Sequence, residues 1–187
     1  MSRPRPPLRI AVPAACIAAV ALFAVFYLKP MEVSDADRAA LVLSKDIGFP
    51  APDGNETFSK SRTMSAATEL HYRAFGLGTH GRGTLDEITF DYFAQPSAVL
   101  GFKSIALGGK GGFALAAGKN QSMQPRDIHF AWADDSYWAD YRVDGNIVGA
   151  FVLARVGNAV HFISLNGIVT DAQRLEPVLR EHWTKSP

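Results

Sequence analysis

The chain of 187 residues has one cysteine, Cys16, and almost no net charge. A single cysteine excludes an internal disulfide and a zinc site built on several thiolates. The formal net charge is +1, and the basic residues are scattered among acidic ones instead of forming the stripe that phosphate contacts require. We therefore expect no nucleic-acid partner. The hydrophobic content of 48% indicates a folded chain of about one domain.

The sequence also lacks the motifs that identify common catalytic and cofactor sites. Residues 76–81 match the pattern G-x-G-x-x-G, but they run into a predicted strand and not into the helix that would receive a pyrophosphate. No G-x-S-x-G elbow is present. None of the five histidines has a spacing typical of metal ligands; they are His71, His80, His129, His161 and His182. The sequence predicts neither a cofactor nor a metal site.

One long apolar run stands out near the start of the chain. Residues 10–28 read IAVPAACIAAVALFAVFYL, without a charge, and a helix of this length spans roughly 28 Å. Arg3, Arg5 and Arg9 precede the run, and Lys29 follows it. The positive-inside rule therefore predicts a single-pass anchor in the cell membrane, with the N-terminus cytoplasmic and the remainder outside, in the periplasm if the source is bacterial.

Two other interpretations of this run are open to a sequence of this kind. A cleaved secretory signal also has a basic start and an apolar core, but its core is shorter and a small-residue cleavage site follows it, which Phe26 to Pro30 do not provide. A lipoprotein signal would place its lipidated cysteine after the apolar core, whereas the most apolar part of this run follows Cys16. Both comparisons favour an uncleaved anchor.

The remainder of the chain predicts an α+β domain with a mainly antiparallel sheet of about six to seven strands. Period-two alternation indicates strands over residues 69–75 and 85–93. A C-terminal four-stranded meander is predicted over residues 128–133, 137–143, 147–155 and 159–165, with turn residues between the runs. Because several of these runs are apolar on both faces, we expect helices to cover the sheet.

Three helices are predicted around these strands. Ser34 caps a helix over about residues 35–46, and Pro96 opens one over residues 95–106 that ends before the glycine run 108–112. Thr170 with Gln173 fits a capping box for a last helix, in which Pro177 interrupts the apolar spacing.

These features divide the chain into four parts. They are a basic cytoplasmic flank (residues 1–9), a transmembrane signal anchor (10–28), a juxtamembrane helix and loop (29–55) and an extracytoplasmic α+β domain (56–187). The membrane is thus one predicted partner of the chain, through residues 10–28.

Two hypotheses for function remain at this point. The first is an extracytoplasmic domain that binds a protein partner or a small ligand without catalysis, as an accessory component of an envelope complex. The alternative is an anchored enzyme, such as a hydrolase, that uses a histidine site or the acidic and aromatic cluster 132–140. The candidate catalytic residues are then His129, Asp134 and Asp140, and His129 with His161 is the histidine pair most suited to converge.

Overall fold

The computed structural model describes residues 30–49, 51–52, 54–63, 67–79, 81–116 and 120–185. These residues form one antiparallel sheet of seven strands with three α-helices and a short 3₁₀ helix. In chain order the elements are α1 (Asp35–Ala39), the 3₁₀ helix (Ser44–Ile47), β1 (Glu56–Thr63), β2 (Ala67–Gly78), β3 (Gly81–Tyr92), α2 (Gln95–Ala116), β4 (Gln121–Arg126), β5 (Asp135–Val143), β6 (Asn146–Val156), β7 (Ala159–Asn166) and α3 (Ala172–Trp183).

The sheet consists of two meanders joined in the middle. Its strand order is β1-β2-β3-β7-β6-β5-β4, so β1 and β4 are the edges and every neighbouring pair is antiparallel. The central pair brings together β3 and β7, which are far apart in the chain, with Glu87 opposite Ile163 and Thr89 opposite His161. Helix α2 provides the crossover from β3 to the opposite edge at β4.

Each face of the sheet has its own cover. The first face carries the larger core, which includes Trp138, Val152 and Ile163, and it is covered by α3 together with the N-terminal segment, residues 31–49. The second face carries Phe151, Leu153 and Val160, and α2 packs on it. The alternating burial of β3 shows why one strand contributes to both cores, since successive side chains point to opposite faces.

The predicted α+β class and antiparallel sheet are confirmed, but the first strand of the predicted meander is wrong. Residues 128–133 form a loop, and β4 lies instead at Gln121–Arg126. The apolar side chains of the loop enter the first core, where the rings of Phe130 and Trp132 stack at 5.0 Å. The observed edge strand is mostly exposed and includes Pro125, whose missing N–H is tolerated at a sheet edge.

The helices also differ from their predicted bounds. α1 ends at Ala39 and not near residue 46, because the buried chain that follows turns toward the sheet and the Val42 N–H donates to a carboxylate oxygen of Glu87 at 2.6 Å. α2 continues through the glycine run to Ala116. Glycine costs a helix about 1 kcal/mol relative to alanine, a penalty that packing against the sheet can offset.

The ends of α1 and α3 are fixed by side-chain caps. Ser34 and Asp37 form the capping box of α1, which confirms the predicted helix start. The cap of α3 is Asp171 and not Thr170, and its carboxylate accepts a 2.8 Å bond from the Arg174 N–H. Pro177 lies inside a continuous α3, whose buried residues are Leu175, Leu179 and Trp183.

Among the helices described above, none has both the length and the apolar character that crossing a bilayer requires. The predicted span, residues 10–28, lies outside the described residues, as do Cys16 and His80.

Candidate functional site

His129, the first candidate, lies on the loop between β4 and β5. Its side chain is 81% exposed, and its Nε2 lies 3.1 Å from an oxygen of the exposed Asp127. His161 is instead fully buried on β7 and contacts Thr89 and Trp183. The two histidines therefore have separate surroundings and separate partners.

Asp134 is occupied by an ion-pair network at one end of the sheet. The nearly buried guanidinium of Arg155 donates from Nη1 to Asp134 at 3.1 Å and from Nε to Asp135 at 2.7 Å. The Gly157 N–H donates a further bond of 2.8 Å to Asp134. Asp134 thus holds the turn after β6 next to the start of β5, and Asp135 pairs with the same arginine.

Asp140 is buried farther along β5 with a different set of partners. It accepts a 3.1 Å bond from the indole N–H of Trp138, and the guanidinium groups of Arg126 and Arg142 lie 3.8 and 3.6 Å away. The structure therefore brings Asp134 and Asp140 to different arginines. The tryptophans of the cluster 132–140 belong to the core, since Trp138 is fully buried and Trp132 meets Trp183 edge-on at 6.3 Å.

A buried polar centre, which sequence reasoning missed, lies on the first face of β3. Glu87 is fully buried and accepts two bonds of 2.6 Å, from the indole N–H of Trp183 on α3 and from the backbone of Val42. Burial raises the pKa of Glu87 to about 8, although both bonds oppose the shift. The sequence offered one signal, the position of Glu87 two residues after Leu85 and thus on the same face of a predicted strand.

His161 completes this polar centre from the neighbouring strand. Its Nδ1 lies 2.9 Å from the Thr89 hydroxyl, and its ring stacks on Trp183 with 5.2 Å between centroids. Burial lowers the pKa of His161 to about 3, so the imidazole is neutral at pH 7. Neither Glu87 nor His161 is reached by solvent. Through the bonds from Val42 and Trp183, the centre joins the N-terminal segment and α3 to the sheet.

The largest of the described cavities lies at the hairpin that joins β2 and β3. This hairpin cavity has a volume of about 860 Å³, against about 400, 320 and 190 Å³ for three others described in the structure. Its described lining consists of Pro52, Asn55, Phe75, Gly76, Leu77, Gly81 and Arg82. None of these seven residues is a histidine, a carboxylate, a serine or a cysteine, so they supply no nucleophile and no general base near pH 7.

Gly76, Leu77 and Gly81 of the glycine-rich motif line this cavity. The chain continues from Gly81 directly into β3, with Gly78 opposite Gly81, and this confirms the predicted strand after the motif. Gly78 and Gly167 approach so closely that a Cβ at Gly78 would overlap the Gly167 carbonyl. The glycines therefore serve the backbone packing of a hairpin, which leaves the exposed side chains of Leu77 and Arg82 at its end.

A polar cluster lies beside the hairpin cavity on the second face. Asp86 on β3 accepts from Arg73, and its oxygen lies 3.3 Å from Nε2 of His71. Burial favours the neutral acid, but the bonds from His71 and Arg73 hold the pKa of Asp86 below its usual range. The Arg73 guanidinium also lies 5.9 Å from the ring centroid of Phe75, which connects this cluster to the cavity wall.

No protein family, curated protein or solved structure was found to match this chain. Function is therefore inferred from the chemistry of the site itself.

Proposed function

We propose that the chain is a single-pass membrane protein whose outward domain binds a protein partner at the hairpin cavity without catalysing a reaction. The observation that carries this proposal is the lining of the cavity. Phe75, Leu77 and Pro52 provide an apolar wall, Arg82 provides one cation, and the seven residues lack acid–base groups suited to catalysis.

The position of the cavity supports a role directed away from the membrane. Met31 lies two residues after Lys29 and forms a β-bridge with Lys60 on β1. Lys60 in turn lies opposite Leu70 on β2. From Leu70 the strand continues to Leu77, a distance of about 23 Å at the usual rise per residue. An anchor formed by residues 10–28 would hold the domain at Met31 and leave the hairpin cavity at the far end.

The proposal is tested by site-directed cross-linking in native membranes. Leu77→Cys introduces a thiol into the cavity, and Lys103→Cys introduces one on the outward side of α2 as a matched control; both are made in a Cys16→Ser chain. We expect one partner of reproducible stoichiometry to be captured by a thiol-directed cross-linker at position 77 and not at 103. Equal capture at both positions, or capture at neither, would contradict the proposal.

The topology is tested on the same variants. A membrane-impermeant maleimide should label Leu77→Cys in cells whose outer layer has been permeabilised but whose inner membrane is intact. Labelling only after lysis of the inner membrane would exclude the outward orientation. A mature N-terminus beyond residue 28 would exclude the uncleaved anchor.

A further inference from the structure

The end of β2 has a strand edge that β1 does not cover. β2 runs to Gly78, but its pairing with β1 ends where Glu56 meets Ala74. On the other side the pairing with β3 continues to Gly78 opposite Gly81. Beyond Phe75, residues 76–78 pair with β3 alone among the described residues, and their other side faces the hairpin cavity, whose lining includes Asn55 and Leu77.

The backbone of Leu77 points toward this open edge. The Phe75 N–H donates to the Asn55 carbonyl at 3.0 Å, which marks the β1 side of β2. In an antiparallel strand the hydrogen-bonding direction alternates, so the N–H and C=O of Leu77 point to the same side as those of Phe75. The described chain on the β1 side forms a turn at this point, where the Asn55 N–H donates to the Pro52 carbonyl. No described residue pairs with the Leu77 backbone on this side, so Leu77 presents one donor and one acceptor to an added strand.

The side chains around this edge define which strand would fit. Phe75, Leu77 and Arg82 lie on the second face, since Leu77 is opposite Arg82 in the register. Leu77 is 79% exposed, and Arg82 forms no ion pair with any residue in the described part of the chain. A strand added beside β2 would lie about 10 Å from β3, which is two strand spacings. The Arg82 side chain can reach such a strand by lying over Leu77.

We propose that the hairpin cavity takes an extended polypeptide segment, which pairs with the open edge of β2 at Leu77 and directs apolar and acidic side chains to Phe75 and Arg82. Backbone pairing supplies affinity, and the alternate side chains supply selectivity. The segment bears an apolar residue and, two residues away on the same face, a carboxylate. This inference rests on the proposed binding function and names its partner class.

The test uses the full chain in lipid nanodiscs and a phage-displayed library of random heptapeptides. We expect enriched peptides to have β-branched or aromatic residues at one position and Asp or Glu two positions away. Leu77→Pro should weaken their binding about tenfold or more, because the ring removes the edge N–H and blocks the added strand. Leu77→Ala, which keeps the N–H, is the matched control and should weaken binding less. Arg82→Ala should remove the preference for an acidic residue.

A second measurement keeps the result independent of the protein variants. N-methylation of alternate amides in the best peptide should abolish binding in one register and leave it unchanged in the other, since only one set of amides faces β2. Failure to enrich any peptide, or binding that neither Leu77→Pro nor N-methylation changes, would overturn the proposal. Self-association that Leu77→Pro abolishes would make a second copy the occupant and would overturn it as well.

The two proposals fail in different ways. A partner captured at Leu77→Cys, without selection of extended peptides, would leave the binding function in place and reject strand addition. Peptide selection without a captured partner or outward topology would retain the edge site and reject the membrane-bound accessory role.

Discussion

The buried residues Glu87 and His161 change the free energy of unfolding in opposite directions as the pH rises. The pKa of Glu87 is raised from 4.5 to about 8, so the folded protein holds a proton that the unfolded chain has released over that interval. Its contribution to stability is therefore lost as the pH rises. The pKa of His161 is lowered from 6.5 to about 3, so its contribution is lost as the pH falls below 6.5.

We predict from these two residues a plateau in the free energy of unfolding between about pH 4.5 and 6.5. Stability should fall toward pH 8 through Glu87 and fall below pH 4.5 through His161, where Asp37, Glu56 and Asp86, whose pKa values are lowered, add to the loss. Urea denaturation of the full chain in detergent, followed by far-UV circular dichroism from pH 4 to 9, measures this profile.

A substitution can assign the loss of stability between pH 6.5 and 8 to Glu87. Glu87→Gln removes the titrating group and should flatten the profile between pH 6.5 and 8, while Glu32→Gln, at an exposed position, should leave it unchanged. An unaltered alkaline limb in Glu87→Gln would show that another residue is responsible.

At the scale of elements, the sequence predicts strands best where one face is apolar and the other polar. The period-two alternation of β3 fits this rule, whereas β5 to β7, which hold most of the core, were predicted from aromatic and β-branched runs between turn residues, and β6 is buried on both faces. β1 was missed because Phe58 is its only large apolar residue and because Met31 and Lys60, which help to place it, are distant in sequence. Residues 128–133 were wrongly predicted as a strand, because aromatic side chains enter a core equally well from a loop. Local composition does not distinguish a loop of this kind from a strand.

The candidate site was less predictable than the fold, for a related reason. The glycines of residues 76–81, placed between two predicted strands, indicate a hairpin. The open edge at Leu77, however, depends on where β1 begins, which is a property of the pairing and not of the motif. Glu87 has a charge typical of solvent-facing residues, and it is buried by the packing of α3 and the N-terminal segment over β3.

The docking of α2 gives a prediction with an internal control. Gly101 faces Tyr92, and a Cβ at this position would overlap the tyrosine ring, whereas Gly108 has open space around it. We expect Gly101→Ala to lower the free energy of unfolding by about 1–3 kcal/mol through overpacking. Gly108→Ala should raise it by up to about 1 kcal/mol through helix propensity. Thermal denaturation of both variants tests this, and a stabilised Gly101→Ala would mean that α2 can move away without cost.

At the scale of the whole molecule, the first face is closed by the two ends of the described chain. α3 and the N-terminal segment both reach Glu87, and His182 on α3 lies 3.1 Å from the Ala39 carbonyl and 3.6 Å from Asp46. The buried carboxyl group of Glu87 on β3 therefore joins three parts of the chain, through its bonds from Trp183 on α3 and from Val42 in the N-terminal segment.

Trp183→Phe is expected to weaken this junction in a pH-dependent way. The variant keeps an aromatic ring over His161 but loses the bond to Glu87, at a cost of about 1–3 kcal/mol. Because the lost bond favours the carboxylate and holds the pKa of Glu87 down, the difference from the wild type should grow as the pH rises from 6 to 9. Trp132→Phe is the control, since the buried Trp132 N–H has no hydrogen-bond partner among the described residues. Equal pH dependence of the two variants would contradict the assignment.

The central pairing of β3 with β7 has a consequence for the order of events during synthesis. The N-terminal meander is complete at Tyr92, but its inner edge, β3, pairs with β7, which begins only at Ala159. At about 5–20 residues per second, ribosomes need several seconds to make the intervening chain. During that interval β3 exposes an unpaired edge to other nascent chains. If the chain is inserted through residues 10–28 as proposed, it passes through this state while still attached to its translocation machinery, and chaperones on the outward side meet β3 before they meet the finished domain.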